Sequence, residues 1–212
     1  MCGRFLLNTM QSEVARAFDA VEKLPPRRDP LPDIRPTQTI AVVRSGEDAR
    51  VLAPMRWGFM PDWYAHWDDG PLLINARSET IAEKPAFRAA CRARRCLIPA
   101  NGFYEWQSVP HGKRVHHLAP AGEALFGFAG IWQPGRSKEG REMDTVAIVT
   151  CAAPAPLSHI HARMPVVIPA DGYGLWLGEE GHGAARLMAA APDDFWQVTP
   201  DRGPPDAKPR LL

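Results

Sequence analysis

Charge of one sign, long apolar runs and paired cysteines are all scarce in this sequence. Its 212 residues include 25 Lys and Arg against 24 Asp and Glu, a formal net charge of +1. This balance excludes a histone-like basic binder and an acidic disordered chain. No window approaches 18 uncharged apolar residues, which excludes a membrane-spanning helix. The N-terminal residues hold no apolar run long enough for a secretory signal, so we expect none.

Only four cysteines are present. None forms a CxxC pair, so we expect no disulfide framework and a reducing, cytoplasmic compartment. Cys91-x4-Cys96 and His159-x-His161 match no strong zinc spacing, so we expect no metal site. Proline is abundant instead: 22 residues is roughly twice the average usage, which indicates many turns and stiff loops.

Short strands separated by turns, without strand–helix alternation, predict an α+β fold around an antiparallel, barrel-like sheet with short flanking helices. We expect one domain over 1–200 and a loose tail over 201–212. The predicted strands cover 39–44, 49–55, 96–98, 102–107, 114–118, 125–132 and 144–151. The predicted helices cover 12–20 behind a Ser12 cap, 79–93 with a break at Pro85, and 183–191.

Cys2 is the first residue that could carry chemistry. An initiator Met before a small residue is usually trimmed, which would leave an α-amine and a thiol on one carbon frame. Their reference pKa values, about 7.7–8.0 and about 8.5, make both partly reactive near neutrality. Such an aminothiol condenses with an aldehyde to an imine and then a thiazolidine; it can also serve as an amidohydrolase nucleophile. A buried core cysteine is the alternative interpretation.

Three further polar side chains are near Cys2 or follow an apolar run. Arg4 places a bidentate donor two residues from the thiol, suited to phosphate or carboxylate. Asn75 and Arg77 follow Leu72-Leu73-Ile74, and alternation puts them on one side of a continuing strand. The structural alternatives are a turn or cap residue for Asn75 and a solvated charge for Arg77.

Two groups could move protons. Glu105 lies among Phe103, Tyr104 and Trp106, and an aromatic setting tends to raise a carboxyl pKa towards neutrality. His161 and His159, two residues apart, could share a strand face, and either imidazole could shuttle protons. The alternatives are a solvent-facing carboxylate and a structural histidine.

A basic run and an aromatic run suggest a nucleic-acid surface. Residues 84–95 hold five cations and no acid, and residues 57–67 hold five aromatic side chains, Trp63 and Tyr64 among them. Single strands need planes for bases and charge for phosphates. Core aromatics and a solvated helix face are the alternatives.

Five blocks, taken together, resemble the SOS response-associated peptidase (SRAP) family, the abasic-site processing proteins. The blocks occur in order and span residues 2 to about 170. They are Cys2-Gly3-Arg4-Phe5, Trp57-Gly58-Phe59-x-Pro61-x-Trp63, Asn75-Ala76-Arg77-x-Glu79-Thr80, Cys96-Leu97-Ile98-Pro99-Ala100-x-Gly102-Phe103-Tyr104-Glu105-Trp106 and His161-x-Arg163-Met164-Pro165.

The resemblance implies that the protein binds single-stranded DNA and cross-links to abasic sites through Cys2 once Met1 is removed. Asn75 would hold the aminothiol end, Glu105 would move protons, and His161 would assist at the sugar oxygen. The resemblance also implies no metal or organic cofactor, a monomer, and a cytoplasmic protein that joins the nucleoid when bound to DNA. The DNA-binding set is Arg4, Pro36, Trp63, Tyr64, Arg77 and Arg163.

One departure from the family pattern concerns a loop expected to approach DNA. Family members usually carry Asn-x-x-Pro there, and this sequence has Asp33-Ile34-Arg35-Pro36. An aspartate can turn or cap as asparagine does, but near phosphate it would repel.

Three hypotheses remain open at this point. The first is covalent capture of abasic sites, with β-elimination of the strand as a side reaction. The second is an N-terminal-cysteine peptidase or amidohydrolase. The third is a non-catalytic single-strand-binding module in which Cys2 is structural.

Overall fold

Two β-sheets share one core in the computed structural model, which describes residues 2–26 and 30–205. The strands follow in chain order as β1 (Arg4–Leu7), β2 (Ala20–Glu22), β3 (Leu31–Ile34), β4 (Thr39–Ser45), β5 (Arg50–Trp57), β6 (Asn75–Arg77), β7 (Arg95–Ala100), β8 (Gly102–Val109), β9 (Gly112–Ala119), β10 (Phe126–Arg136), β11 (Glu142–Ala152), β12 (Arg163–Pro165), β13 (Val167–Ile168) and β14 (Gln197–Pro200). The α-helices are α1 (Gln11–Ala17), α2 (Pro85–Ala93) and α3 (Tyr173–Leu177).

The first sheet has the order β14-β9-β8-β1-β3, and the second has β12-β11-β10-β7-β4-β5-β2, with β13 on β10 and β6 on β11. Most pairs are antiparallel; β2 with β5, and β11 with both β5 and β6, are parallel. The predicted α+β class with a barrel-like, mainly antiparallel core is confirmed. Within the described residues no helix is long and apolar enough to cross a bilayer.

Aromatic side chains of the first sheet enter the core of the second. Phe5 of β1 packs edge-on against Trp57, 5.2 Å between ring centroids, and against Phe128, 6.0 Å away. Edge-to-face pairs of this kind stabilise a core by about 0.5–1.5 kcal/mol beyond their buried area. Because Phe5 is anchored this way, the residues just before β1 lie where the two sheets meet.

The register of β1 then sets what lies beside the chain start. Arg4 pairs with Tyr104 and Phe5 with Phe103 on β8, antiparallel. Continuing this register brings Gly3 opposite Glu105. The tight packing of Phe5 therefore places Cys2 beside the acidic side chain of β8.

The predicted strands are confirmed with small changes at their ends, because each is a local apolar run bounded by turn residues. The strand expected to continue from residues 72–74 through Asn75 and Arg77 is present as β6, whereas the short strands β1, β2, β3, β12, β13 and β14 were not predicted. Of these, β1 holds only four residues, and its partners β3 and β8 are remote in sequence. A strand so short gives little local periodicity and is defined by tertiary pairing.

The helices differ more from the sequence predictions. Helix α1 begins at Gln11 with Met10 as its N-cap, so the Ser12 cap was wrong. Helix α2 begins at Pro85, and residues 79–84 form turns and a bend. Proline has no backbone N–H, and in the first turn of a helix that N–H would have no acceptor within the helix. Proline therefore fits at the start of α2 and not in its interior. The late helix over 183–191 is reduced to one 3-10 turn, Ala184–Leu187, and α3 was missed.

The first residues of the predicted loose tail are tied to the fold. Asp201 donates its backbone N–H to Val115 and pairs with Arg114 at 2.7 Å, and Arg202 pairs with Glu123 at 2.6 Å. Residues 206–212 lie outside the described residues.

Candidate active site

Cys2 is fully buried, at 0% exposure, just before β1. Burial raises the pKa of its thiol well above the usual value, and the negative charge of Glu105 raises it further. The thiol is therefore neutral near pH 7 and needs a base when it reacts.

Asn75 holds the backbone of Cys2 in place. Its side-chain Nδ2 donates to the carbonyl oxygen of Cys2 at 3.1 Å. Asn75 is presented by β6, whose parallel register pairs it with Ile148 of β11 and buries the neighbouring Ala76. The Oδ1 atom of Asn75 is buried and has no hydrogen-bond partner among the described residues. The amide thus carries an acceptor that can receive a hydrogen bond from an amine at the chain start.

Glu105 lies on β8 and is only 5% exposed. The backbone N–H of Trp106 donates to its Oε1 at 3.2 Å. On the neighbouring strand β9, His116 occupies the backbone position opposite Glu105. The prediction that Glu105 lies in an aromatic, water-poor setting agrees with this burial, and the solvent-facing alternative does not.

Glu105 and His161 line the same open cavity. Its volume is about 460 Å³, and its walls come from Gly3, Arg4, Glu105, Trp106, Ser108, Lys113 and His161. A second, smaller pocket is also lined by Glu105 and His161 together with Phe103, Leu118 and Arg163. The cavity therefore joins the chain start, the carboxylate of β8 and the imidazole in one space large enough for a sugar.

The imidazole of His161 is oriented by the following backbone. Its Nδ1 accepts from the N–H of Arg163 at 2.9 Å. When Nδ1 is the acceptor, a neutral ring carries its proton on Nε2 and can donate it. The expectation that His159 and His161 share a strand face is wrong, because residues 158–160 form a turn and β12 begins only at Arg163.

Arg4 is held by an acidic partner. Its Nε and Nη2 donate to the two carboxylate oxygens of Asp33, at 2.6 and 2.7 Å. Arg35 donates to the same carboxylate through Nε at 2.8 Å. Asp33 itself lies on β3 and not in the expected loop, and its carboxylate forms ion pairs with both arginines.

The other predicted arginines differ in their availability. Arg77 is exposed, and its guanidinium makes no hydrogen bond or ion pair within the described residues. Arg163 forms a bidentate pair with Glu79 at 2.6 and 2.8 Å and also donates to the carbonyl of Thr150. Arg77 is thus open to a phosphate, and Arg163 is engaged by the fold.

The aromatic run divides between core and surface. Trp57 and Phe59 are buried, as expected if these two side chains are core aromatics and not a DNA-binding surface. Trp63 is 58% exposed, and Tyr64 lies edge-on to it, with 6.1 Å between ring centroids. Pro36 is half-buried in the loop that follows Asp33. Trp63 is therefore the aromatic plane available for a base.

The basic run divides in the same way. Lys84, Arg88 and Arg92 are exposed at helical spacing of four on α2. Arg94 and Arg95 turn inward and donate to backbone carbonyls, including those of Trp132 and Trp176. Only three of the five cations can therefore meet a polyanion on one face.

Two cavity residues were missed by sequence reasoning. Ser108 and Lys113 face each other across the β8–β9 hairpin and line the cavity with Glu105. The hairpin register from the His111-Gly112 turn carried this information, since it puts residues equidistant from the turn side by side. Within residues 2–26 and 30–205, no three His, Cys, Asp or Glu side chains form a group that could hold a metal ion.

Comparisons with known proteins show the family and the fold of the chain. The family model described as SOS response associated peptidase (SRAP) matches residues 1–201. The chain is 36% identical over 180 residues to the abasic site processing protein YoaM of Bacillus subtilis (strain 168), covering 84% of this chain and 79% of that one. It is 31% identical over 197 residues to the abasic site processing protein YedK of Escherichia coli (strain K12), covering 90% and 86%. A crystal structure of a protein from Bacteroides thetaiotaomicron shares the fold, with a TM-score of 0.82, 21% identity, and coverage of 94% and 91%.

Proposed function

Since the chain belongs to the SOS response associated peptidase family, we propose that it captures abasic sites in single-stranded DNA by a covalent bond to Cys2. The family supports a part in abasic-site DNA damage response. The substrate proposed here follows from relatives named abasic site processing proteins. The observation that supports the covalent step is the position of Glu105: its charge acts on the buried thiol of Cys2, and its side chain lines one cavity with Gly3 and His161.

The reaction begins with the sugar. An abasic deoxyribose opens when the proton on its anomeric hydroxyl is lost and the ring oxygen is protonated, giving an aldehyde at C1′. His161, with a proton on Nε2, donates towards the ring oxygen, and the carboxylate of Glu105 accepts the hydroxyl proton.

The amine of Cys2 then attacks the aldehyde carbon. The N–C1′ bond forms, the carbonyl oxygen leaves as water after taking two protons, and an imine results. Asn75 Oδ1 accepts a hydrogen bond from the attacking amine, and its Nδ2 keeps the Cys2 carbonyl in place. This step requires loss of Met1, which lies outside the described residues.

The thiol closes the ring in the last step. Sulfur adds to the imine carbon, the S–H proton passes through Glu105 to nitrogen, and a five-membered thiazolidine forms. Because burial and Glu105 keep the thiol protonated, Glu105 must act as its base. Overall, aldehyde and aminothiol give thiazolidine and one water.

Binding of the strand is proposed to use Arg4 and Arg77 for flanking phosphates and Trp63 with Tyr64 for base stacking. Pro36 shapes the loop beside Arg4. Arg163 serves chiefly to orient His161 and Glu79, given its ion pair. If the imine persists, loss of a proton at C2′ would allow strand cleavage by β-elimination, a lyase side reaction.

A direct test uses purified protein whose intact mass shows that Met1 is absent. It is incubated with a single-stranded oligonucleotide carrying one abasic site, and the products are separated under denaturing conditions. We expect a stable adduct whose mass equals the sum of both partners less one water, and no adduct from Cys2→Ala. No adduct with wild-type protein, or equal adduct from Cys2→Ala, would refute the proposal.

The same samples separate the other hypotheses. An N-terminal-cysteine hydrolase turns over a small amide without DNA and forms no adduct. A non-catalytic module binds intact and abasic strands equally and is indifferent to Cys2→Ser.

A further inference from the structure

Asp33 is the hub of an ion-pair cluster at the edge of the cavity. Its Oδ1 accepts from Arg4 Nε at 2.6 Å, and its Oδ2 accepts from Arg4 Nη2 at 2.7 Å. Arg35 reaches the same Oδ2 through Nε at 2.8 Å and Nη2 at 2.7 Å. Among the described residues, this one carboxylate therefore forms ion pairs with both guanidinium groups.

The cluster is partly shielded from water. The side chains of Asp33 and Arg4 are 13% and 21% exposed, and that of Arg35 is 43% exposed. Charges in such positions are screened less than surface pairs, and the bidentate geometry matches the flat guanidinium fork. Asp33 is therefore a stronger competitor for Arg4 than a solvated carboxylate would be.

The backbone around Asp33 is held rigidly. Asp33 lies on β3 beside Ile34, which pairs with Phe5 of β1. After it, the turn contains Thr37 at φ +72°, a region that β-branched residues rarely occupy. Hydrogen bonds in both directions between residues 37–38 and Trp57 hold that turn, at 2.7 and 2.9 Å. The carboxylate is consequently presented to Arg4 by the fold itself.

Arg4 lines the cavity that contains Glu105 and His161, so a strand entering the cavity brings a phosphate to the same guanidinium. From these contacts we infer that Asp33 is a specificity-determining residue that lowers the affinity of the cavity edge for DNA phosphates. It does so by competing with phosphate for Arg4 and Arg35. This inference rests on the proposed function, because it presumes that single-stranded DNA is the ligand.

The consequence is selectivity for the lesion. Undamaged strands far outnumber abasic ones, so a protein that binds any strand tightly would be occupied mostly by undamaged DNA. With the edge partly neutralised, residence on an intact strand is short, and only an aldehyde that reacts with Cys2 is retained. Exposed Arg77, which pairs with no carboxylate in the part of the chain that the structure describes, then supplies the general attraction.

The test measures equilibrium binding of intact single-stranded oligonucleotide over a range of salt concentrations, which does not depend on the chemistry of Cys2. Asp33→Asn keeps the shape of the side chain and removes its charge. We expect several-fold tighter binding, and a slope of log K against log salt that steepens by about 0.7 for each arginine that gains a phosphate. In a mixture of intact and abasic strands, we expect Asp33→Asn to capture the abasic strand more slowly than wild type.

The matched control is Glu179→Gln, which removes the carboxylate from an equally well-formed pair with Arg50 at 2.8 Å. That pair lines a different cavity, which shares no residue with the one containing Glu105. Glu179→Gln changes the net charge by the same amount as Asp33→Asn. Because its effect falls at the other cavity, we expect little change in DNA affinity or in the salt slope. A gain equal to that of Asp33→Asn would show a mere effect of net charge and overturn the inference.

A second control tests the route of the effect. In Arg4→Gln/Asp33→Asn, the gain in affinity should shrink to the part that Arg35 contributes, because residues in one ion-pair network are coupled. If Asp33→Asn does not fold, as judged by thermal denaturation, Asp33→Ser is used with the same expected direction. Unchanged or weaker DNA binding by the folded variant overturns the inference. Unchanged binding would mean that Asp33 does not compete with phosphate, and weaker binding would mean that Asp33 positions Arg4 for phosphate. Absence of any wild-type adduct instead refutes the proposed function.

Discussion

Asn75 and Cys2 are joined by a hydrogen bond of 3.1 Å from the side-chain amide to the backbone carbonyl, across 73 positions of sequence. Through this bond, β6 of the second sheet holds Cys2, which lies just before β1 of the first sheet. The bond leaves the Oδ1 atom of Asn75 beside the chain start with no partner among the described residues. The orientation of the amine therefore depends on a residue that takes no part in bond making.

Replacing this amide should slow covalent capture. Asn75→Ala removes one positioning hydrogen bond, worth about 1 kcal/mol, so we expect roughly fivefold to tenfold slower adduct formation. Binding of intact strands should change little, because Asn75 is not cationic. The measurement is a time course on denaturing gels beside equilibrium binding. The control is Asn8→Ala, whose side chain makes a long exposed contact of 3.4 Å to Glu123; equal slowing in both variants would contradict the assignment.

Replacing the buried carboxylate should affect the chemistry more than the binding. Glu105→Gln keeps an acceptor for the N–H of Trp106 but cannot accept a proton, and we expect adduct formation to fall by about 10²-fold or more. Since Glu105 is one cause of the raised pKa of Cys2, the variant should also lower the pKa of that thiol. Alkylation by iodoacetamide across pH 7–10 measures this shift.

The control for the carboxylate is Glu142→Gln, because Glu142 is exposed and pairs only loosely with Arg136, at 3.4 Å. It should behave as wild type in both assays. A normal rate of adduct formation by Glu105→Gln across neutral pH would exclude Glu105 as the acid–base group.

Removing the exposed guanidinium near the site should weaken the initial complex. For Arg77→Ala we expect weaker binding of intact single strands and a salt slope shallower by about 0.7, the value for one lost phosphate contact. Arg16→Ala removes an exposed cation that lines a separate cavity on α1 and should leave the slope unchanged. If the two variants have the same slope, Arg77 makes no specific phosphate contact.

The buried phenol of Tyr173 should make stability fall at alkaline pH. Burial raises its pKa to about 12, and its ring stacks on Phe18 with 4.9 Å between centroids. Because the folded state disfavours the phenolate, the contribution is intact below about pH 10 and is lost as pH rises through about 12. The full loss is about 3 kcal/mol, since the pKa rises from 10 to about 12 and each unit corresponds to about 1.4 kcal/mol.

Urea denaturation of wild type and Tyr173→Phe at pH 8 and at about pH 11 measures this effect. The variant should lose less stability than wild type between the two values. Tyr104→Phe is the comparison, because burial also raises the pKa of Tyr104 and it should give a change in the same direction. A pH dependence in Tyr173→Phe as steep as that of wild type would contradict the assignment.

Local patterns predicted the parts of the fold that depend on neighbours in sequence. Strands β4 and β5 were predicted because an apolar run, a turn at 45–48 and a second run follow one another within 20 residues. Strands β1 and β3 were not, since their hydrogen bonds go to each other and to β8. The Ser12 cap failed because the chain enters α1 two residues earlier than a local cap indicated.

The identities of the reactive groups were available from the sequence alone: an aminothiol at Cys2, a carboxylate among aromatics at Glu105 and an imidazole at His161. Residue type decides what a group can donate, accept or attack, and that is a local chemical property. Whether those groups meet depends on strand register between distant segments. Only the tertiary structure brings Gly3 opposite Glu105, binds Asn75 to Cys2 and places Asp33 against Arg4, because pairing across 29 or more positions leaves no periodic trace in the chain.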